Sequence, residues 1–139
     1  MSLDLAAVPW LAVLASVFAG QVVLTLWFVV LFPDAWARAY GGPTMTKEQH
    51  RTEVPPWTYG VGAACTATLS VGLALLRGAL GVSSLAGMLA LGGFVALVLF
   101  VPMALPAYAF TKRYDAFLIG AGSQVVLSLV VSAVLALVG

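Results

Sequence analysis

The chain has 139 residues, of which 63% are hydrophobic and 8% are charged, and its formal net charge is +1. Soluble domains have roughly 45–50% apolar and about 25% charged residues. This composition therefore excludes an ordinary water-soluble domain, whose surface needs more polar side chains. The small net charge gives no reason to expect a nucleic-acid partner. A single cysteine excludes a disulfide bond within the chain.

Charged residues lie in short segments that separate four apolar stretches. Asp, Glu, Lys and Arg do not occur in residues 5–33, 54–76, 78–111 and 116–139. A helix that crosses the hydrocarbon core of a bilayer needs about 20 predominantly apolar residues, so each stretch has room for one. The sequence predicts an all-α integral membrane protein, a four-helix bundle that forms one domain over residues 1–139.

Proline and serine positions indicate where the predicted spans begin and end. Pro33 ends the first span, because proline cannot continue the helical hydrogen-bond ladder, and Ser84 can cap the third. In chain order the predicted spans cover residues 9–32, 57–76, 84–105 and 116–138, with a polar loop over residues 33–56. In that loop Thr46 and Gln49 have capping-box spacing, which predicts a short surface helix near residues 47–53. We expect the first span to be retained and not cleaved as a signal peptide. A signal peptide begins with a positively charged region, whereas no Lys or Arg precedes this span.

The positions of Lys and Arg predict how the bundle is oriented. Five basic residues lie in the two loops that share one side: Arg38, Lys47, Arg51, Lys112 and Arg113. The opposite side has Arg77 alone. The positive-inside rule then places the basic loops in the cytoplasm and both termini outside. The predicted location of the protein is the inner cell membrane. Trp27, Trp36 and Trp57 on the basic side and Trp10 on the other are predicted interface anchors.

Five polar side chains inside the spans are candidates for a ligand site or a polar path: Gln21, Thr25, Thr66, Gln124 and Ser128. The two glutamines lie deepest, and their predicted depths overlap, so they could meet at a helix interface or in a cavity. Two uses are open for them. They contact a substrate, or they hydrogen-bond neighbouring helices, which is worth about 0.6–2 kcal/mol each and is the commoner use of such residues.

Glycines recur near these polar residues at helical spacing. Gly20, Gly62, Gly120 and Gly122 are predicted to let helix backbones approach closely. Such packing fits a monomeric bundle and a homo-oligomer equally well. Cys65 is expected to serve as a small packing residue.

No catalytic constellation is recognisable in the sequence. It has no P-loop, no nucleophile elbow and no HExxH motif, and its one histidine, His50, is not a metal site by itself. The spans contain no ionisable side chain of the kind that marks a proton relay. We therefore expect no enzymatic activity, no metal and no cofactor.

Two stretches together resemble a known protein family. The first has Trp27-Phe28 followed by Phe32 and Trp36, and the second has Phe110-Thr111-Lys112-Arg113 followed by Ala121-Gly122-Ser123-Gln124. The family comprises small bacterial membrane proteins and is catalogued as a domain of unknown function, number seventeen sixty-one. This chain differs at Phe28, where the family often has Tyr, at Ser123, where it often has an aromatic residue, and at Pro33-Asp34, where Gly-Lys is common. The resemblance implies a compact four-helix membrane protein and no particular activity.

Two hypotheses of function follow. The first is a non-enzymatic membrane protein, expected to be a homo-oligomer, that binds or permeates a small neutral or lipophilic molecule. The second is an accessory subunit that docks a partner through the loop of residues 33–56.

The orientation can be tested by limited proteolysis of tagged protein in cells. Protease added to intact cells should leave residues 38–51 uncut, because this segment is predicted to face the cytoplasm. Opened cells serve as the control and should show cleavage. Cutting of this segment in intact cells would overturn the predicted orientation.

Overall fold

The computed structural model describes residues 5–39, 46, 48–49, 52 and 55–139. Its main helices are α1 (Trp10–Leu31), α2 (Pro33–Ala39), α3 (Trp57–Leu80), α4 (Leu85–Phe110) and α5 (Tyr114–Val138). All but α2 are long and apolar enough to cross a membrane. They have 22 to 26 residues, about 33–39 Å at 1.5 Å per residue, against a hydrocarbon core of about 30 Å. The described ranges contain no strand, and the predicted all-α architecture with four spans is confirmed.

Helix α3 continues beyond residue 76, where the predicted second span ended, because the Arg77 guanidinium group finds partners at that depth. Its Nη1 donates to the Leu135 carbonyl at 2.6 Å, and its Nε donates to the Val82 carbonyl at 3.3 Å. Leu135 lies in the last turn of α5, where the helix dipole favours a positive charge. The helix then ends at Gly81, whose φ of 65° is a left-handed conformation that favours glycine.

Both α1 and α4 contain a π-helical turn just before a proline. In α1 the turn is Leu26–Leu31, followed by Pro33, and in α4 it is Val95–Phe100, followed by Pro102. Proline lacks an N–H, and its ring collides with a carbonyl one turn earlier. Wider turns of this kind let a membrane helix satisfy its backbone near proline. Helix α4 accordingly continues through Pro106, beyond the predicted end at residue 105.

The C-terminal helix α5 lies at the centre of the bundle. It packs against α1 on one side and α4 on the other, and α3 packs against α1. Helices α3 and α4 make few contacts with each other, although a short turn joins them. We name the end of the bundle where α5 begins the loop side, and the end where α5 finishes the terminal side. The helices form an arc in the order α3, α1, α5, α4 that is open between α3 and α4.

The buried apolar core lies toward the terminal side. Its members are Val8, Ala12, Val13, Leu73, Ala74, Met88, Leu127, Val131 and Leu135. Small residues let α4 and α5 approach closely beside this core. A Cβ atom built onto Gly92 would overlap the Ser132 hydroxyl and lie 2.9 Å from the Ser128 backbone oxygen. The two helices are therefore in direct backbone contact at Gly92.

Replacing Gly92 with alanine should lower the free energy of unfolding by about 1–3 kcal/mol, the usual cost of overpacking. The reason is that the Ser128 backbone cannot yield unless α5 shifts. The matched control is G72A, since no atom lies within 4 Å of the Cβ position at Gly72. It should leave stability unchanged or raise it through helix propensity. Circular dichroism during unfolding in mixed micelles measures both, and equal effects would contradict the close packing of α4 on α5.

Candidate ligand-binding cleft

The open face between α3 and α4 forms a cleft of about 490 Å³. Helices α1 and α5 form its floor, and α3 and α4 form its walls. The volume lies within the roughly 300–1,000 Å³ usual for ligand sites. Met103 at the rim is 83% exposed, so the cleft opens sideways, toward the position that lipid would occupy. Its lining is apolar except for Cys65, Thr66, Gln124 and Ser128.

Two of these polar groups already have hydrogen-bond partners. The Thr66 hydroxyl donates to the Gly62 carbonyl at 2.9 Å and accepts from Gln21 Nε2 at 3.2 Å. The Ser128 hydroxyl donates across to the Gly92 carbonyl of α4 at 2.8 Å. Both hydroxyl side chains are buried. They therefore hold helices together, which is the structural use considered for them in the sequence analysis.

Gln124 differs from the other polar residues of the cleft. Its half-buried side chain lines the cleft, and within the described part of the chain its amide has no hydrogen-bond partner. An amide without a partner in hydrocarbon costs several kcal/mol. The group offers two N–H donors and an acceptor oxygen. It is the lining group best able to pair with a polar atom of a bound molecule.

The structure separates the candidates that the sequence analysis grouped. The two glutamines do not pair with each other, since Gln21 reaches from α1 to Thr66 on α3 while Gln124 faces the cleft. Thr25 is exposed and is not part of the cleft lining. The expectation that Cys65 is a packing residue is wrong, because it is exposed on the cleft wall.

Sequence reasoning did not predict a buried serine contact between two helices. The buried Ser16 hydroxyl donates to Ser70 Oγ at 3.1 Å and joins α1 to α3. Ser70 in turn donates to the Thr66 carbonyl at 2.8 Å. The signal that could have revealed this contact is the spacing of Ser16 and Gly20, four residues apart on one face of α1.

The four glycines predicted to serve helix packing have different surroundings. A Cβ atom on Gly20 would lie 2.5 Å from a side-chain methyl of α3, and one on Gly122 would lie 3.0 Å from the Trp27 ring. At Gly62 and Gly120 the nearest atoms would be 3.7 Å away, an ordinary contact distance. Gly20 and Gly122 thus mark close contacts, whereas Gly62 lines the cleft and Gly120 lines a neighbouring pocket.

That neighbouring pocket, here named the side pocket, has a volume of about 150 Å³ and lies toward the loop side. Phe28, Phe100 and Gln124 line both it and the cleft. Trp36 and Tyr108 add aromatic surface, and the rings of Phe28 and Trp36 pack edge to face with centroids 4.8 Å apart. Phe28 and Trp36, two of the aromatic residues that carried the family resemblance, thus line the same pocket as Gln124 of the second stretch.

The four tryptophans predicted as interface anchors occupy two kinds of environment. Trp10 and Trp57 are exposed. Trp27 is half-buried, and its Nε1 donates to the Ile119 carbonyl of α5 at 3.0 Å. Trp36 is half-buried and lines the side pocket. Trp27 and Trp36 therefore contact the bundle as well as lying near its loop side.

The predicted capping box in the polar loop is confirmed. The Thr46 N–H donates to Gln49 Oε1 at 2.9 Å, and the Gln49 N–H donates to Thr46 Oγ1 at 3.2 Å. Lys47, His50, Arg51 and Glu53 are among the loop residues that lie outside the described part of the chain. Among the described residues, no group of three His, Cys, Asp or Glu side chains could hold a metal ion.

Leucine substitutions at the two glutamines should have different effects on stability. Q21L should lower the free energy of unfolding by about 0.6–2 kcal/mol, because it removes the bond to Thr66. T66V should show a similar loss, and the double variant little further loss. Q124L should leave stability unchanged or raise it, since the Gln124 amide that it removes has no hydrogen bond to a described residue. Unfolding in mixed micelles measures all four, and equal losses at the two glutamines would contradict this division.

The chain matches the family described as Protein of unknown function (DUF1761) over residues 11–136. Comparison with curated proteins and with solved structures gives no significant match. The matched segment contains nearly all of the four long helices together with every residue named above for the cleft and the side pocket. Because the match covers most of the sequence, the chain belongs to the DUF1761 family of proteins of unknown function.

Proposed function

We propose that the protein is a membrane-embedded, non-enzymatic binding protein for a small neutral or lipophilic molecule that occupies the cleft. The observation that carries the proposal is the Gln124 amide, which has no partner among the described residues. Apart from the Cys65 thiol, the rest of the cleft lining is apolar or already hydrogen-bonded. Apolar walls with a few placed polar groups are typical of small-molecule sites. None of the described lining residues is charged, which favours an uncharged ligand because a charge without a partner is costly to bury.

The position of the core favours binding over permeation through one subunit. Ala12, Val131 and Leu135 are fully buried toward the terminal side, so the cleft ends against packed side chains inside the bundle. Flux through a single subunit would require this core to open, whereas binding requires no such change. Permeation would need a path between subunits of a homo-oligomer, and the open face of α3 and α4 is where a second copy would be sought.

The proposed setting is the inner cell membrane, with the lipid bilayer as the main partner and the loop side in the cytoplasm. Support comes from the excess of Lys and Arg in the loops on that side. The cleft and the side pocket would then open in the cytoplasmic half of the bilayer.

The native cysteine provides a test of ligand binding. Cys65 is the only cysteine of the chain and lines the cleft, so its alkylation by a membrane-permeant maleimide reports access to the site.

Leu99 lines the cleft and is 49% exposed, while Leu97 on the same helix is 56% exposed and lies outside the lining. L99W should slow alkylation several-fold and abolish any small molecule retained in native mass spectrometry. The matched control L97W should behave as wild type. The proposal fails if L99W and L97W retain the same molecule, or if no lipophilic compound slows alkylation of the wild-type protein.

A second candidate function is supported by the capping bonds between Thr46 and Gln49, which indicate an ordered helix start in the polar loop. In this second candidate function, the protein is an accessory subunit that docks a partner through residues 33–56. Deletion of residues 44–53 separates the candidates. Cys65 protection by a ligand should survive the deletion, whereas association with a partner subunit should be lost.

A further inference from the structure

The cleft and the side pocket share three side chains. Phe28 comes from the π-helical turn of α1, Phe100 from the π-helical turn of α4, and Gln124 from α5. A molecule in the cleft would therefore meet two aromatic rings and one unpartnered amide at the border with the side pocket. The two spaces have different sizes and linings, which indicates that they suit different parts of one ligand.

The side pocket has the size and lining for a six-membered ring. Its volume is about 150 Å³, and a cavity of about 150 Å³ in a protein interior holds benzene. Its walls include the rings of Trp36, Tyr108 and Phe117 besides those of Phe28 and Phe100. Aromatic rings pack well against one another at centroid distances of about 4.5–7 Å. The Tyr108–Phe117 pair, at 5.7 Å, already packs in this way within the wall.

Gln124 determines which polar atoms the ring can carry. Its amide can donate to a carbonyl oxygen or accept from a hydroxyl group. The described residues that line the two spaces include no charged side chain. A phosphate, carboxylate or ammonium group would lose its hydration there without gaining an opposite charge. An uncharged ring with a carbonyl or hydroxyl oxygen fits this lining.

The cleft has the properties expected of a site for a hydrocarbon chain. Leu99 and Met103 line it on the α4 wall, and Met103 is almost fully exposed at the rim. The cleft therefore leads from Gln124 sideways out of the bundle, into the region that acyl chains of the bilayer would occupy.

We infer that the two spaces together bind a ring lipid. The uncharged flat ring occupies the side pocket, its oxygen atom hydrogen-bonds the Gln124 amide, and its hydrocarbon chain lies along the cleft. This inference rests on the proposed function, which requires only that the cleft bind some uncharged lipophilic molecule.

The test compares two probes on the purified, full-length protein in detergent. 4-Decylphenol has an uncharged ring of benzene size with one hydroxyl group, and n-decane has a chain of the same length with neither a ring nor an oxygen atom. The concentration of each probe that halves the rate of Cys65 alkylation is measured. 4-Decylphenol should protect Cys65 at a concentration about tenfold lower than n-decane, since it adds ring contacts and a hydrogen bond.

Variants locate the ring. Q124L should raise the half-protecting concentration of 4-decylphenol about tenfold and leave that of n-decane unchanged. G120L should do the same by filling the side pocket, because the Gly120 Cβ position already lies 3.7 Å from the Trp36 ring. The control G60L should change neither value, since its Cβ position has no atom within 4 Å. Thermal unfolding shows which variants are folded. If G120L does not fold, Q124L alone tests whether the ring lies beside Gln124.

The outcomes separate this inference from the proposed function. Equal protection by the two probes, or an unchanged preference in Q124L, overturns the ring lipid and leaves binding of a lipophilic molecule in place. If neither probe protects Cys65 in the wild-type protein, the inference and the proposed function both fall.

Discussion

Polar atoms buried among apolar helices need hydrogen-bond partners on neighbouring helices, and this constraint governs how these helices meet. Gln21 pairs with Thr66 and Ser16 with Ser70, and both bonds join α1 to α3. The Ser128 hydroxyl joins α5 to α4 through a backbone carbonyl. Each bond ties two helices at a particular height, so the polar side chains set the register of a bundle whose apolar faces would pack in many ways. Among the described residues, Gln124 and the buried Ser132 hydroxyl do not take part in this pairing, and of the two only Gln124 lines the cleft.

The bundle is packed unevenly along its length. Toward the terminal side, the small residues Gly92 and Ser132 let α4 and α5 come into contact, and a continuous apolar core fills the space. Toward the loop side, large rings such as Phe28 and Phe100 occupy the positions between helices. Because α3 and α4 are joined at the terminal side and make few contacts with each other, the space between them is left as a cleft. One end of the molecule thus has a packed core and the other has the cleft.

The two π-helical turns connect backbone chemistry to the cleft. Each precedes a proline, Pro33 in one case and Pro102 in the other, and each lets the chain pass a missing N–H without leaving polar groups unsatisfied. The same turns carry Phe28 and Phe100 to the border between the cleft and the side pocket. Turns of this type occur frequently at functional sites. Here a local response to proline also shapes the walls of the candidate site.

The charge-free stretches were enough to predict four helices long enough to span a bilayer. The length of an apolar run is a property of the linear sequence and can be compared directly with the thickness of the hydrocarbon core. The capping box at Thr46 and Gln49 followed equally from local spacing. Periodicity could list polar residues at similar depth, including both glutamines, but it could not tell which had partners. That distinction arose from the order of the helices around α5, which places Gln21 beside Thr66 and leaves Gln124 facing the cleft. Apolar residues lie on all faces of these helices. Their pattern in the sequence therefore says little about which helices are neighbours in the bundle. The cleft, the side pocket and the free amide therefore exist only at the level of tertiary packing.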